Sequence, residues 1–331
     1  MTAPTDVPSD RPTVAPDRPT VEPAEAVEPA AKRPTGQPRR GTAANPAPPT
    51  VCRMRVRFAK RGRLRFGSHR DVARSFERAV RRAGVPVSHS QGFNPRPRMS
   101  WVGAAPTGAA SEAEYLEIGL IREVSPDRVA AALDAALPPG LDVLDAILVP
   151  LGETSLADLI DGSRWRIELP GVATAELAGA VAALLAEESL TVPRSTKSGP
   201  KPVDVRAAMI TAEVLAGDGP RSLTDQRECA GSAPESATSD AGGRSCAIMT
   251  TVVRQTTPAV RPDDVLAALR VVAGLSLPVP AVSTRLVQGL LDDRGRLADP
   301  FGAARVTTPT APEGSGARSV PAVGDQRGVA G

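Results

Sequence analysis

The sequence predicts an α+β fold made of two tandem ferredoxin-like β-α-β-β-α-β units between tails that do not fold. Three observations lead there. Apolar spacing switches between periods of 2 and 3.6 along residues 51–290. Helix start and stop residues bracket the 3.6-period stretches. The order strand, helix, two strands, helix, strand then occurs twice. Residues 1–50 and 291–331 are different: they are rich in Pro, Ala, Thr and Gly, and the first of them balances six basic against six acidic residues. Such composition buries too little apolar surface to offset chain entropy, so both tails are expected to be disordered.

The first unit, 51–150, opens with a strand at 54–58, where Arg alternates with Met, Val and Phe. Lys60-Arg61-Gly62-Arg63 makes a turn, and 64–66 extends or closes the strand. Ser68 is a good N-cap, and Asp71 places negative charge in the first turn of the helix that follows. Gly84, with Pro86 beyond it, stops that helix. On its wheel Val72, Phe76, Ala79, Val80 and Ala83 share one face, and Arg70, Arg74, Arg78 and Arg81 the other. Short strands are expected at 85–89 and from 99 to 102, and a further one at 114–120. Ser125-Pro126-Asp127 opens a helix to 137, with proline at its favoured position, and 141–149 closes the unit.

The second unit, 163–290, repeats this rhythm. A strand at 165–169 precedes an Ala/Leu-rich helix at 174–187. Strands follow at 190–193 and 203–214, and then a Gly/Ser/Asp-rich stretch, 218–245, reads as a disordered insertion. A strand at 246–254, a helix at 262–272 and a strand at 282–290 complete the unit.

The totals exclude several classes. No charged start followed by an apolar run marks a signal peptide, and no run of about eighteen apolar residues predicts a membrane span. The cytoplasm is therefore the expected compartment. Cys52, Cys229 and Cys246 are too scattered and odd in number for a disulfide framework. None has the C-x-x-C spacing of a zinc site, and the histidines are only His69 and His89, so no metal site is expected. Walker-type phosphate loops, G-x-G-x-x-G turns, G-x-S-x-G elbows and H-E-x-x-H helices do not occur.

Charge is informative where the net value of +3 is not. Residues 53–98 carry fourteen Lys/Arg against Asp71 and Glu77, while 99–150 carry two Arg against eight acids. Arginines at i, i+4 on one helix face repel by a few tenths of a kcal/mol per pair. Their presence points to an anionic partner, either nucleic acid or the protein's own Glu112, Glu114 and Glu117. The string 88–98 adds Gln91, Gly92, Phe93, Asn94, Arg96 and Arg98 in one loop. Gly92 permits unusual backbone angles, Pro95 and Pro97 stiffen the chain, and Phe93 offers a ring on which a base can stack. A plain strand connection shaped by its prolines is the competing reading. The turn Gly67-Ser68-His69-Arg70-Asp71 opens a helix whose free N–H groups suit an anion, but capping by Ser68 and the dipole complement of Asp71 explain those two residues without a ligand. Were His69, His89 and Asp71 to meet, they would supply acid–base chemistry.

These residues resemble a family of radical-SAM-linked domains of unknown function, found alone or joined to cobalamin-binding radical SAM proteins. The resemblance rests on Arg63-Leu64-Arg65-Phe66-Gly67-Ser68-His69-Arg70-Asp71, on Phe76-Glu77-Arg78-Ala79-Val80-Arg81-Arg82-Ala83-Gly84-Val85-Pro86, on Ser90-Gln91-Gly92-Phe93-Asn94-Pro95-Arg96-Pro97 and on Ser111-Glu112-Ala113-Glu114-Tyr115. It covers about 53–215. It implies a radical SAM protein as partner and, in some genomes, proximity to ribonuclease E/G genes. The chain has no Cys-x-x-x-Cys-x-x-Cys cluster, so no radical SAM chemistry and no cofactor are expected on it.

The expected function is an accessory module that binds RNA or another polyanion. Arg70, Arg74, Arg78, Arg81, Arg96 and Arg98 would hold phosphates, with Gln91, Gly92, Phe93 and Asn94 forming the loop surface. The alternatives are a protein-interaction scaffold for a radical SAM or RNA-processing partner, and a subunit of an RNA-modification enzyme using His69, Asp71 and His89.

Overall fold

The computed structural model describes residues 48–91, 93–215, 245–302 and 305. Its first half holds β1 (Cys52–Lys60), a 3₁₀ turn (Gly62–Phe66), α1 (His69–Arg82), β2 (Met99–Val102), β3 (Ala110–Leu120), α2 (Pro126–Ala136) and β4 (Leu141–Pro150). Its second half holds β5 (Gly162–Pro170), α3 (Thr174–Ala186), β6 (Thr191–Arg194), β7 (Lys201–Asp204), α4 (Val205–Ala208), β8 (Met209–Val214), β9 (Cys246–Arg254), α5 (Pro262–Ala273), β10 (Val282–Leu291) and β11 (Leu297–Ala298).

The fold is mixed α+β with a mostly antiparallel sheet. Nine strands form it in the order β4-β1-β3-β10-β5-β9-β8, with β2 added on β3 and β11 on β10. β1 pairs antiparallel with β3 and β4, and β5 pairs antiparallel with β9 and β10. The halves join where β10 runs parallel to β3, at Thr284↔Ala110 and Arg285↔Ser111. β6 and β7 form a separate hairpin.

Period-2 alternation sends Met54, Val56 and Phe58 of β1 to one face with Leu116, Ile118 and Leu120 of β3, where α1 and α2 cover them in one core. The arginines of β1 alternate to the other face. A second core under α3 and α5 gathers Ile167, Leu169, Leu177, Leu184, Met249 and Leu269. A small third cluster joins Tyr115, Leu156, Ile160 and Phe301.

Four local expectations differ from the structure. The stretch 64–66 is part of the 3₁₀ turn rather than strand, because Leu64 and Gly67 donate their N–H groups to the carbonyls of Arg61 and Leu64. The stretch 85–89 makes isolated bridges, Val87↔Leu120 and His89↔Pro97, rather than a continuous strand. The single strand expected at 203–214 is broken by α4, whose first turn is capped by the Asp204 carboxylate accepting from the Ala207 N–H at 3.0 Å. Beyond Asp292, where disorder was expected, β11 pairs with β10 and Phe301 is fully buried edge-on to Tyr115 at 5.5 Å. The expected tail 1–50, apart from 48–50, the expected insertion 218–245, apart from Ser245, and residues 303–304 and 306–331 of the expected C-terminal tail lie outside the described residues.

Candidate functional site

Helix α1 is the element most strongly divided between core and solvent. Ser68 caps it: the hydroxyl accepts from the Asp71 N–H at 3.3 Å, and the Asp71 carboxylate accepts from the Ser68 N–H at 3.2 Å and hydroxyl at 2.7 Å. These bonds from Ser68, the hydroxyl's first, hold the Asp71 carboxyl below the usual carboxylate range. Val72, Phe76, Ala79 and Val80 are buried. Phe76 meets Phe58 at 4.6 Å and Trp101 at 5.3 Å, so the aromatic side of the helix is fixed by rings from β1 and β2.

The opposite side carries Arg70, Arg74, Arg78 and Arg81, all exposed. Arg78 donates to the Ser75 hydroxyl at 3.1 Å, an uncharged partner. Among the described residues none of the four forms a salt bridge. The internal acids that might have neutralised them are engaged elsewhere. Glu117 holds Arg53 at 2.7 Å and the buried Arg55 at 3.1 Å. Glu112 pairs with Arg61, which also reaches Asp142 at 2.7 Å. Glu114 pairs with Arg285 and accepts from the Ala105 N–H at 3.2 Å. The basic segment therefore separates into two sets. Arg53 and Arg55 of β1 and Arg61 after it lock the sheet to its own acids, while Arg70, Arg74, Arg78 and Arg81 of α1 face solvent without a salt bridge.

The string 88–98 is a hairpin tip. Its base is closed by the Arg98 N–H to Ser88 carbonyl bond at 2.8 Å and the Ser90 N–H to Arg96 carbonyl bond at 2.8 Å. The Ser90 hydroxyl accepts from the Arg96 N–H at 3.0 Å. The base is anchored to the sheet by Ser88 N–H to the Gly119 carbonyl and Gly119 N–H to the Arg98 carbonyl. Gly119 has to be small here, since a Cβ would stand 2.6 Å from the Ser88 hydroxyl oxygen. Gln91, Asn94, Arg96 and Arg98 are exposed, and Phe93 is 89% exposed, the most exposed large apolar side chain among the described residues. Gly92 lies outside the described residues. A free phenyl ring between polar neighbours, held on a pinned hairpin, suits stacking against a planar ligand.

The three groups considered for acid–base work do not share a hydrogen bond or ion pair among the described residues. His69 is exposed and stands edge-on to Trp101 at 5.4 Å. His89 is exposed on the hairpin arm, where its carbonyl accepts from the Arg98 guanidinium at 3.4 Å. Asp71 is held by the cap. Among the described residues no group of three His, Cys, Asp or Glu side chains is placed to hold a metal ion, and no helix is long and apolar enough to cross a membrane.

A second polar centre lies where β3 meets β10, and sequence reasoning missed it. Arg285 is 4% exposed; it pairs with Glu114, reaches the Ser111 hydroxyl at 3.3 Å and lies over the Trp165 ring at 5.3 Å. Gln288, also buried, donates to the Ala113 carbonyl at 2.5 Å. Lys60 is buried beside them, its ammonium bonded to the carbonyls of Ala105 and Pro106 at 3.4 and 3.3 Å. Burial lowers its pKa from the ordinary lysine value, with Glu114 opposing that shift. The available signal was Arg285 and Gln288 lying three apart within a strand of β-branched and apolar residues, 282–291.

The model of a family described as an uncharacterised protein conserved in bacteria (DUF2344) matches residues 53–262, from β1 through the start of α5. The match takes in α1, the hairpin and the β3 acids. No curated protein matches the chain.

Proposed function

This chain belongs to the DUF2344 family of proteins conserved in bacteria, and we propose that it is an accessory module that binds RNA through the arginine face of α1 and the hairpin at 88–98. The observation that carries this reading is the division of the arginines. Glu112, Glu114 and Glu117 are held by Arg53, Arg55, Arg61 and Arg285, so Arg70, Arg74, Arg78 and Arg81 form no salt bridge within the described residues, and of the four only Arg74 is felt by the capping Asp71. Guanidinium groups bind phosphate oxygens through paired N–H donors, and an exposed phenyl ring stacks on a base. Arg96 and Arg98 beside Phe93 combine both on one hairpin.

The wider context is part of the same proposal. The strand orders β4-β1-β3-β2 and β10-β5-β9-β8, each antiparallel, support reading the halves as two ferredoxin-like units. The motif resemblance to radical-SAM-linked domains supports a radical SAM enzyme as the partner to which RNA is presented.

Phosphate-led binding weakens with salt. Six engaged arginines give a slope of log K against log salt of about −4 for single-stranded RNA, or roughly 300-fold between 50 and 200 mM. The test is purification of the full chain from native cells at low salt, followed by sequencing of co-purified nucleic acid and elution with rising salt. RNA released steeply by salt, and not retained by an Arg74→Ala/Arg78→Ala/Arg96→Ala chain, is the expected result. A co-purifying protein that survives nuclease treatment while no RNA is retained would replace this reading with that of a scaffold.

A further inference from the structure

A cleft of about 190 Å³ opens between the halves, beside the buried Arg285–Glu114 pair. Three arginines from different elements reach it: Arg254 at the end of β9, Arg261 just before α5, and Arg285 in β10. Gln255, Gln288 and Trp165 complete the polar wall, and Gly103, Ala104 and Pro106 close it from the first half. No Asp or Glu is among the residues lining it.

The inner wall is fixed before any ligand arrives. Arg285 is held by Glu114, Ser111 and the Trp165 ring, which leaves its Nη1 without a hydrogen-bond partner among the described residues. Gln288 is held by the Ala113 carbonyl, and its side-chain oxygen lies so close to Gly103 that a Cβ there would overlap it. Gly103 has φ +55°, which only glycine adopts readily. The loop of the first half is thus shaped to approach Gln288, and the cleft is a consequence of that approach.

Charge counting narrows the ligand. Glu114 offsets Arg285, while Arg254 and Arg261 are exposed and form no salt bridge among the described residues. Two positive charges remain in excess over a small, carboxylate-free space. We propose that this cleft binds a phosphate dianion, free or as the terminal phosphate of a nucleotide, at a site separate from the RNA-binding face of α1. The outer arginines clamp the oxygens with paired N–H donors, and Arg285 supplies a rigid donor from below. The volume, room for about six waters, exceeds what a phosphate group alone fills, so part of a nucleotide's sugar has space beside it and the base would lie along the open mouth.

The experiment is isothermal titration calorimetry of the full chain with inorganic phosphate, adenosine 5′-monophosphate and adenosine as probes. Saturable binding of phosphate is expected, weakened about tenfold or more by Arg254→Gln and by Arg261→Gln. Ala104→Asp, which puts a carboxylate on the exposed rim, is expected to abolish it. Equal binding of phosphate and the nucleotide identifies a free phosphate; tighter binding of the nucleotide, with none of adenosine, identifies a terminal phosphate. Arg74→Ala/Arg78→Ala leaves either result unchanged, whatever becomes of RNA binding. The proposal is overturned if neither phosphate probe binds with saturation up to millimolar concentrations. Binding untouched by all three cleft variants, or lost with the α1 variant, also overturns it. Thermal melts show that each variant used is folded.

Discussion

Removing Glu117 tests the arginines that are paired within the sheet apart from those that face solvent on α1. Its carboxylate is 10% exposed and bridges two guanidinium groups, Arg53 at 2.7 Å and Arg55 at 3.1 Å. Arg55 is 1% exposed and its remaining partner is the Thr154 carbonyl. In Glu117→Ala the Arg55 charge stays buried without a counter-ion, a change that typically costs about 3–5 kcal/mol. Arg53, at 23% exposure, turns to water instead and adds little. The Thr154 carbonyl keeps part of the solvation of Arg55, which places the expectation at the lower end, about 3 kcal/mol. For a folded region of this size that is a fall in melting temperature of roughly 6–12 °C. Glu117→Gln keeps one acceptor and should lose only about 1–2 kcal/mol. Arg55→Met combined with Glu117→Leu replaces the pair by apolar volume and should recover most of the loss. Urea unfolding followed by circular dichroism measures all three. A loss below about 1 kcal/mol for Glu117→Ala would refute the claim that the β1 arginines are internal structural partners, since a cation free to reach solvent would not notice the loss.

Further substitutions test other parts of the structure. Ser68→Ala removes the α1 cap and should lower stability by about 1 kcal/mol in the same unfolding assay. Asp71 has a lowered folded pKa, so its contribution is present above the unfolded carboxylate value and lost as pH falls through the folded one. Asp71→Asn should flatten that acid limb in a pH series of melts, and an unchanged limb would count against the cap. Phe301→Ala, emptying a fully buried site against Tyr115, should cost about 3–5 kcal/mol. A chain ended at Asp292 should lose at least as much, and a melt equal to the intact chain would show that this segment does not pack. Phe93→Ala should leave the melting temperature unchanged while weakening single-stranded RNA binding by about 1–3 kcal/mol in a fluorescence titration.

The helices and strands with strong periodicity were legible from residues alone. Ser68 with Asp71 marked the start of α1, and the Val72–Phe76–Ala79–Val80 face is buried as the wheel required. Residues 246–254 form a strand over the expected span. Short-range competition explains the local differences: Asp204 caps a single turn inside what reads as one β run, and tight N–H to carbonyl bonds turn 64–66 into 3₁₀ structure. Tertiary burial explains others. Phe301 sits in a stretch of poor composition, and it is ordered by packing with Tyr115, Leu156 and Ile160 and by the pairing of β11 with β10, which no local pattern reveals. The fate of the acids was equally non-local. Glu112, Glu114 and Glu117 lie on one strand, but which arginine each receives depends on the register of β1 against β3 and of β10 beyond it. For that reason the exposed arginines of α1 could be recognised as candidates from sequence, while their separation from the β1 set required the sheet. The cleft with Arg254, Arg261 and Arg285 joins residues on three elements of the second half with a loop of the first, and no spacing announces it.

The central claim is that the solvent-facing arginines of α1 bind RNA while those of β1 hold the fold. Its most direct measurement is the salt dependence of affinity for a single-stranded RNA, comparing the full chain with Arg74→Ala/Arg78→Ala. Two lost phosphate contacts should reduce the slope of log K against log salt by about 1.4 at unchanged thermal stability. An identical slope for both proteins, or an affinity indifferent to salt in the unsubstituted chain, would contradict it.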